Sequence, residues 1–414
     1  MTLVYAEADG AHVYVKGAPE VVIERARGDG AELEQLAAEW AGEGLRVLAV
    51  AERPVAEDAD DEELERDLRL VGLVALHDPL RETARAAVAD AREAGLRVEM
   101  ITGDHPATAQ AIGRTLGLPA EAVHARVTPA EKLLLVEGLQ AQGEVIAVTG
   151  DGVNDAPALR RADVGVAMGR AGTEAAREAA DLVLTDDDFA TIVAAIEEGR
   201  AIADNIRKFV AFLLSANLGE VALFAIAIPA GLGVPMTVVQ VLIVNVLTDG
   251  LPAIALTRDP PSPFVMRRPP DRASRLFPPL AWAALAGIGV LVGAAAIGAY
   301  LLGRPDGHAE ATTMAFATVA LAELALVYSV RSPIRAAAQA PRNAYLAGGV
   351  LLSAGLVGAA VYLPVLHDPL GTVSLHAAEL GLAAALALAP FAAVELAKAL
   401  LRRTGRTIDP DHPE

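Results

Sequence analysis

Six long apolar stretches follow one another in the second half of the chain. They cover about 207–229, 236–257, 277–302, 311–330, 344–365 and 376–400. Each is close to the roughly 20 mostly apolar residues that a helix needs to cross the hydrocarbon core of a bilayer. Segments with Pro, Gly or charged residues separate them. The pattern predicts an all-α transmembrane domain of six helices at 205–404, followed by a cytoplasmic tail at 405–414.

Arginine residues alternate between the loops that would join these helices. They are concentrated in the second loop, the fourth loop and the C-terminal tail: Arg258, Arg267, Arg268, Arg272, Arg275, Arg331, Arg335, Arg342, Arg402, Arg403 and Arg406. The first, third and fifth loops hold only Arg304. By the positive-inside rule, both ends of the membrane region then face the cytoplasm. Six buried helices of a soluble protein are the alternative, which the alternating loop charge disfavours.

The first half of the chain carries all of the net charge. From Ala211 onward there are as many basic as acidic side chains, so the whole charge of −19 precedes that residue. A charged half followed by a neutral, apolar half predicts a soluble region joined to a membrane region. The acidic balance disfavours nucleic acid as a partner, because phosphate backbones require a basic surface. Because the chain has no cysteine, disulfides and thiolate metal sites are excluded.

Short apolar runs alternate with helical patterns in the soluble half. Leu70–Leu76, Leu96–Ile101 and Val145–Val148 suit buried strands, and segments with helical spacing lie between them. This order predicts an α/β domain with a doubly wound parallel sheet, in which sites lie at the carboxyl ends of strands. Both Thr-Gly-Asp sequences of the chain fall at such ends. Residues 1–67 combine a hairpin-like start with two helices and predict part of a separate small domain.

Two carboxylates lie in the glycine-rich turn that follows the strand at Val145–Val148. The turn reads Thr149-Gly150-Asp151-Gly152-Val153-Asn154-Asp155. Glycine lets the backbone approach a phosphate closely, and carboxylate oxygens are ligands that Mg²⁺ prefers. Asp151 is the predicted metal ligand, and Asn154 and Asp155 are predicted to orient the site. A short Asp-Gly sequence alone would be an ordinary surface turn.

The longer string TGDGVNDAPAL at Thr149–Leu159 closely resembles the signature of P-type cation-transporting ATPases. The phosphorylation domain of these pumps belongs to the haloacid dehalogenase superfamily. The resemblance extends over nearly all of the chain, which matches about the later half of such a pump. It implies the C-terminal part of a nucleotide-binding domain at 1–67 and a phosphorylation domain with a helical stalk at 68–204. It also implies ATP as substrate, Mg²⁺ as cofactor, and a multi-pass protein of the bacterial plasma membrane with its soluble half in the cytoplasm.

Further motifs of the family occur in the expected order. Thr102, Gly103 and Asp104 resemble its second phosphate-binding motif, and Lys132 matches the lysine that neutralises phosphoryl charge. The residues that match nucleotide contacts are Lys16 and Gly17 of a KGAPE motif, Arg46, and Asp78 and Arg81 of a DPxR-type motif. An exposed arginine beside a strand is the alternative interpretation of Arg46.

Polar side chains recur within three of the apolar stretches. They are Asn217, Glu220, Asn245, Thr248, Asp249 and Glu323. The first two are three residues apart and the next three are spaced by three and four, so each group shares a helix face. Ionisable groups at membrane depth are costly and mark functional sites, and these oxygen ligands suit a hard cation such as Ca²⁺. Gly250 and Pro252 should loosen the helix beside Asp249. A role in helix packing is the alternative for the asparagine and threonine residues.

The strings SANLGE at Ser215–Glu220 and NVLTDGLP at Asn245–Pro252 resemble the ion-binding helices of the calcium-pump subfamily. By this resemblance, Asn217, Glu220, Thr248 and Asp249 form one ion site, and Asn245 and Asp249 contribute to a second. Glu323 departs from the subfamily pattern by about one position, since the family's residue there aligns better with Ala322. The resemblance implies Ca²⁺ as the transported cation, although related bacterial pumps move other cations.

Two motifs of the family have no match in the 414 residues. These are DKTGT, which carries the nucleophilic aspartate, and the actuator-domain TGE. Because covalent catalysis needs the nucleophile in the same site as the metal and the lysine, we expect this chain alone to be inactive. A truncated product, an incomplete gene model and half of a split pump, with a separate N-terminal half as partner, all remain open. A membrane-anchored haloacid dehalogenase phosphatase is an alternative, but it predicts a DxD nucleophile and an apolar anchor.

Overall fold

The computed structural model describes residues 1–7, 10–28, 30–55, 64–77, 79–270 and 276–404. The chain forms two compact units, Met1–Ala195 and Ile196–Glu414. The predicted nucleotide contact of Asp78 lies outside the described residues, as do three arginines of the charge pattern, Arg272, Arg275 and Arg406. The domain boundaries drawn from the sequence stay predictions.

An antiparallel sheet opens the first unit. Its strands are β1 (Thr2–Glu7), β2 (Gly10–Gly17), β3 (Arg46–Val55) and β4 (Arg69–Leu76), in chain order across the sheet. Helices α1 (Pro19–Glu24) and α2 (Ala31–Gly42) connect β2 to β3. Alternate residues of the central strands form a small core with Val22 and Leu68; they are Val13, Val15, Ala49 and Ala51.

The alternation of apolar runs and helical patterns predicts that Leu70–Leu76 belongs to the parallel sheet. This prediction is wrong. The run forms β4, which pairs antiparallel with β3, with Leu48 opposite Val74. Val71 and Val74 are 59% and 45% exposed, so one face of this strand is open. An apolar run alone does not distinguish a strand buried on both faces from a half-exposed one, and this explains the difference.

Parallel strand pairs carry the two Thr-Gly-Asp loops. β5 (Met100–Ile101) pairs with β6 (Val123–His124), and β7 (Ala147–Gly150) pairs with β8 (Val164–Met168), which also pairs with β9 (Leu182–Leu184). The helices that alternate with them are α3 (Ala84–Glu93), α4 (Pro106–Leu116), α5 (Pro129–Ala141), α6 (Ala156–Arg161) and α7 (Glu174–Ala179). The predicted α/β architecture is confirmed for this part of the chain.

Helices of six to 39 residues make up the second unit. They are α8 (Phe189–Ala227), which begins in the first unit, α9 (Val238–Ile243), α10 (Gly250–Leu256), α11 (Pro279–Gly303), α12 (His308–Ser329), α13 (Ala344–Tyr362), α14 (Pro364–Leu370) and α15 (Ala377–Thr404). Among the described residues, six helical segments are long and apolar enough to cross a membrane. They coincide with the six predicted stretches, and α8 is continuous through the predicted stalk. α12 is almost wholly buried.

Small residues bring α8 and α11 into close contact. A Cβ atom added at Gly289 would lie 2.7 Å from the Cβ of Leu218, and one at Gly293 would lie 3.0 Å from the backbone nitrogen of Leu223. Close approach through glycine is typical of helix packing in membranes, where dispersion contacts replace the hydrophobic driving force. The contact fixes the part of α8 that carries Glu220.

Candidate functional site

A salt bridge joins α5 to the glycine-rich turn after β7. Lys132 Nζ donates to Asp155 Oδ1 at 2.5 Å, and the two side chains are only 17% and 14% exposed. α5 begins with a capping box: Thr128 Oγ1 accepts from Glu131 N at 3.3 Å, and a Glu131 carboxylate oxygen accepts from Thr128 N at 2.8 Å. This box fixes the first turn of the helix and therefore the position of Lys132.

Asp155 also closes the turn to which it belongs. Its Oδ2 accepts from the backbone N–H groups of Asp151 at 3.2 Å and Gly152 at 3.1 Å. Burial opposes ionisation of Asp155, but the hydrogen bonds from Lys132 and the turn outweigh it and hold the pKa below its ordinary value of 3.8. Gly150 is required here, because a Cβ at that position would lie 2.5 Å from the Cβ of Asp155.

The Asp151 carboxylate is left for a ligand. It is exposed, and its side chain has no hydrogen-bond partner among the described residues, while its backbone oxygen accepts from Thr173 N at 2.8 Å. The neighbouring Asn154 is also exposed. A carboxylate held on a fixed turn fits Mg²⁺, which binds through one or two carboxylates and completes its shell with water and phosphate oxygens. Among the described residues of both units, no three His, Asp or Glu side chains are already arranged around one point as metal ligands.

The first Thr-Gly-Asp loop is bonded to the start of α5. Thr102 Oγ1 donates to Asp104 Oδ2 at 2.9 Å and accepts from Asp104 N at 3.1 Å. The Thr102 carbonyl accepts from Val127 N at 3.0 Å, one residue before the cap of α5. Gly103, between them, is exposed. The structure therefore connects Thr102, Lys132 and Asp155 through one series of contacts. Asp151 and Asn154 lie on the same turn, and their side chains have no partner in the part of the chain that the structure describes.

The described residues that match nucleotide contacts lie on different elements of the first unit. Lys16 lies opposite Val50, and Arg46 begins the same strand four residues earlier, so both project from the sheet face opposite the core. Both are exposed. Gly17 packs against Val22, where an added Cβ would lie 3.3 Å from a methyl group. Arg81 is exposed and lies near enough to Asp187 to favour its ionised form.

Asp187 is a buried carboxylate that the sequence does not single out. It accepts backbone N–H bonds from Gly169 at 2.6 Å, Arg170 at 3.0 Å and Ala171 at 2.8 Å. The bond from Arg170 contributes most to holding the pKa of Asp187 below its ordinary value. The residue adopts a left-handed φ of 58°. In the sequence it stands in a run of three aspartates, and composition cannot tell which of them turns inward.

Carboxylate side chains from three segments converge in the second unit. Glu220 on α8 is 6% exposed, and Asp249, before α10, and Glu323 on α12 are fully buried. Asn245 Nδ2 donates to both Glu220 carboxylate oxygens, at 2.9 and 2.7 Å. Among the described residues, no other side chain donates to the oxygens of Asp249 or Glu323. These two carboxyl groups lie close enough to share a hydrogen bond when one is protonated and to repel each other and Glu220 when ionised. Such buried carboxylates are costly unless a cation or a proton neutralises them.

The helix widens where these groups meet. Val244–Asp249 forms a π-helical segment between α9 and α10, and Thr248 Oγ1 donates to Val244 O at 2.6 Å. π-Helical turns are rare and frequent at functional sites. The irregularity ends at Asp249, and α10 continues through Pro252. The expected loosening is therefore a widened turn before Gly250 rather than a break at the proline.

Asn217 stands apart from this cluster. Its side chain is exposed and donates to Leu213 O of its own helix at 2.8 Å. An open groove lies beside Glu220, and its apolar walls include Val221, Phe224, Ile228 and Val241. Of the three carboxylates, Asp249 and Glu323 are therefore enclosed by protein, whereas Glu220 borders the open groove on one side.

Family models match both units. Residues 233–400 match the model described as the C-terminus of cation-transporting ATPases. Residues 3–163 and 131–196 match two models of haloacid dehalogenase-like hydrolases. The first match contains Asn245, Thr248, Asp249 and Glu323, and the second contains both Thr-Gly-Asp loops.

Curated relatives with similar sequences carry names of cation pumps. The chain is 39% identical over 410 residues to a calcium-transporting ATPase of Bacillus subtilis (strain 168), an alignment that covers 88% of this chain and 46% of the relative. It is 38% identical over 401 residues to a calcium-transporting ATPase of Listeria monocytogenes, covering 89% and 45%. It is 41% identical over 304 residues to the cation-transporting ATPase pma1 of Synechocystis, covering 64% and 34%. The chain thus spans less than half the length of these relatives.

Proposed function

This chain belongs to the family of P-type cation-transporting ATPases, and on that basis we propose that it serves ATP-driven transport of Ca²⁺ across a membrane. The observation that carries the proposal is the convergence of Glu220, Asp249 and Glu323 at membrane depth, where no other donor among the described residues reaches the last two. Ca²⁺ takes six to eight oxygen ligands and prefers carboxylates and amide oxygens. The names of the Bacillus and Listeria relatives support the same cation.

Within this site the side chains have distinct roles. Asn245 uses its amide N–H groups on Glu220 and on Val241 O, at 3.1 Å, so its amide oxygen is left to face a cation. Thr248 donates its proton to Val244 O and keeps lone pairs for a ligand. Glu220, Asp249 and Glu323 supply the negative charge that balances a divalent ion. Asn217 joins the site, as the resemblance to calcium pumps implies, only after its side chain leaves Leu213 O.

The first unit provides the residues that handle phosphate. Asp151 would hold Mg²⁺, and the ion when bound neutralises charge on phosphoryl oxygens. Lys132, oriented by Asp155, places a second positive charge beside the same turn. Thr102 presents a hydroxyl on the adjoining loop, and Asp104 holds that hydroxyl in place. Lys16, Gly17, Arg46, Asp78 and Arg81 are the proposed contacts to ATP.

An aspartyl phosphate requires a nucleophile that these residues do not include. The 414 residues contain no DKTGT sequence, so we propose that the nucleophile comes from a further segment, on the same or a separate polypeptide. The open groove beside Glu220 and the exposed Asn217 provide an apolar surface and a polar group against which a further membrane helix could pack.

Two assays on the purified chain in lipid nanodiscs separate this function from a phosphatase. We expect saturable ⁴⁵Ca²⁺ binding that excess unlabelled Ca²⁺ displaces and excess K⁺ does not. We also expect no hydrolysis of p-nitrophenyl phosphate with Mg²⁺. Hydrolysis that Asp151→Asn abolishes, together with no Ca²⁺ binding, would instead establish a membrane-anchored phosphatase.

A further inference from the structure

A buried carboxylate ties together the three segments that carry the acidic residues of the membrane site. Asp259 lies three residues beyond the end of α10 and is 4% exposed. It accepts from Lys208 Nζ at 2.8 Å and from Arg331 Nε at 2.9 Å. Lys208 belongs to α8, which carries Glu220, and Arg331 follows α12, which carries Glu323. Asp259 itself follows the segment that carries Asp249.

Side-chain amides reinforce this junction. Asn205 of α8 donates to the backbone oxygens of Asp259 at 2.8 Å and Thr257 at 3.3 Å. Asn343, the N-cap of α13, donates to the Asp259 carboxylate at 3.0 Å and to Ala255 O at 3.3 Å. The carbonyl groups that end α10 are therefore held by neighbouring helices instead of water.

The charges of the junction are shielded from solvent. Desolvation opposes ionisation of Asp259, but the hydrogen bonds from Arg331 and Lys208 outweigh it and hold its pKa below the ordinary value. Buried ion pairs contribute little net stability compared with apolar side chains of similar size, and their best-attested role is to fix one register. A junction of this kind therefore sets geometry more than stability.

We propose that Asp259 is a positioning residue for the cation site: with Lys208 and Arg331, it fixes the axial register of α8, α10 and α12. The inference rests on the proposed cation site. At about 1.5 Å per helical residue, a slip of one residue would move a carboxylate by more than the spread of Ca²⁺–oxygen distances, which is about 0.3 Å. Lys208 precedes Glu220 by twelve positions on one continuous helix, so a shift at Lys208 reaches Glu220.

Lys208→Met is the most informative variant. It removes the ion pair between α8 and Asp259, while Arg331 and Asn343 still satisfy the carboxylate, so the chain should fold. Lys398→Met is the matched control. Lys398 is also buried and donates to Glu395 at 2.8 Å and to Ser329 O at 2.6 Å, joining α12 to α15, which holds none of the proposed ion ligands. Lys208→Arg keeps the charge and should restore the unmodified behaviour.

Two readouts are needed, both on the full chain in nanodiscs. The first is the dissociation constant for ⁴⁵Ca²⁺. The second is the distance between spin labels at Val221→Cys and Ile254→Cys, two exposed positions on α8 and α10; the chain has no native cysteine to interfere. We expect Lys208→Met to weaken Ca²⁺ binding about fivefold or more and to shift or broaden the label distance, as coupled sites do. Lys398→Met should change neither.

The positioning role is overturned if Lys208→Met leaves both readouts unchanged, or if Lys398→Met reproduces both effects. If the unmodified chain binds no Ca²⁺, the proposed function fails. The label distance then still tests the positioning role. A change in Lys208→Met but not in Lys398→Met supports the role, and an unchanged distance in Lys208→Met refutes it.

Discussion

The side-chain amide of Asn245 donates to both carboxylate oxygens of Glu220, at 2.9 and 2.7 Å. Hydrogen bonds to a charged group contribute about 1.5–3 kcal/mol, so this contact orients Glu220 firmly. It also joins α8 to the widened turn before α10, and it leaves the amide oxygen of Asn245 available to a cation.

Removal of this amide should weaken cation binding. We expect Asn245→Ala to raise the dissociation constant for ⁴⁵Ca²⁺ about tenfold or more, because both an oxygen ligand and the orientation of Glu220 are lost. Asn217→Ala is the comparison, since its amide is bonded to its own helix, and it should change the constant by less than about twofold. Equal effects of the two variants would show that Asn217 already belongs to the site.

Neutral variants of the unpaired carboxylates should have opposite effects on binding and on stability. Asp249→Asn or Glu323→Gln removes one of two adjacent buried acidic groups, which no other donor among the described residues reaches, and offers the remaining one an amide donor. We expect each to abolish Ca²⁺ binding while raising the thermal midpoint in EGTA, since an uncompensated buried charge is costly to the fold. Midpoints measured with and without Ca²⁺ test this. A lower midpoint in EGTA would mean that these side chains hold the fold together without an ion.

The contact between Gly150 and Asp155 predicts a difference between two glycine positions. A methyl group at Gly150 would meet the Asp155 side chain at 2.5 Å, so Gly150→Ala should displace Asp155 and cost about 1–3 kcal/mol. Gly138 lies within α5 with no atom near its missing Cβ, so Gly138→Ala should stabilise by about 0.5–1 kcal/mol. Thermal unfolding of the two variants should therefore shift in opposite directions. Shifts in the same direction would contradict the packing described for the turn.

The Lys132–Asp155 pair predicts a pH dependence of stability. Because the folded-state pKa of Asp155 lies below 3.8, its ionised form stabilises the fold fully above that value, and the contribution disappears as the pH falls through the lowered pKa. Lys132→Met should lower stability by about 1–2 kcal/mol at pH 7, allowing for partial exposure. The difference from the unmodified chain should shrink progressively as the pH falls below 3.8. Lys132→Arg is the control that keeps the charge.

Much of the architecture is predictable because its signals are local. Long apolar stretches determine the membrane helices, and the two Thr-Gly-Asp sequences lie at the carboxyl ends of β5 and β7. Asn245, Thr248 and Asp249 lie in or at the end of a widened turn, whereas Gly250 and Pro252 predict only that the helix loosens there. The pairing of β4 was missed because its apolar run fits either kind of sheet.

Contacts between distant segments account for the remaining differences. Asp259 stands among prolines in a loop, and only the fold brings Lys208 and Arg331 to it, from 51 and 72 positions away in the chain. Asp187 is one of three consecutive aspartates, and its burial depends on the loop at Gly169–Ala171. Glu323 stood one position from the family pattern, yet its carboxylate lies beside Asp249. A single sequence does not encode such partners in any local pattern.

The central claim is that Glu220, Asp249 and Glu323 hold one cation at membrane depth. Equilibrium ⁴⁵Ca²⁺ binding to the chain in nanodiscs, compared between the unmodified protein and Glu220→Gln, tests it most directly. The account predicts saturable binding by the unmodified chain and a loss of at least about tenfold in affinity for the variant, since the charge and an oxygen ligand are removed while the shape is kept. Unchanged affinity in Glu220→Gln would contradict it.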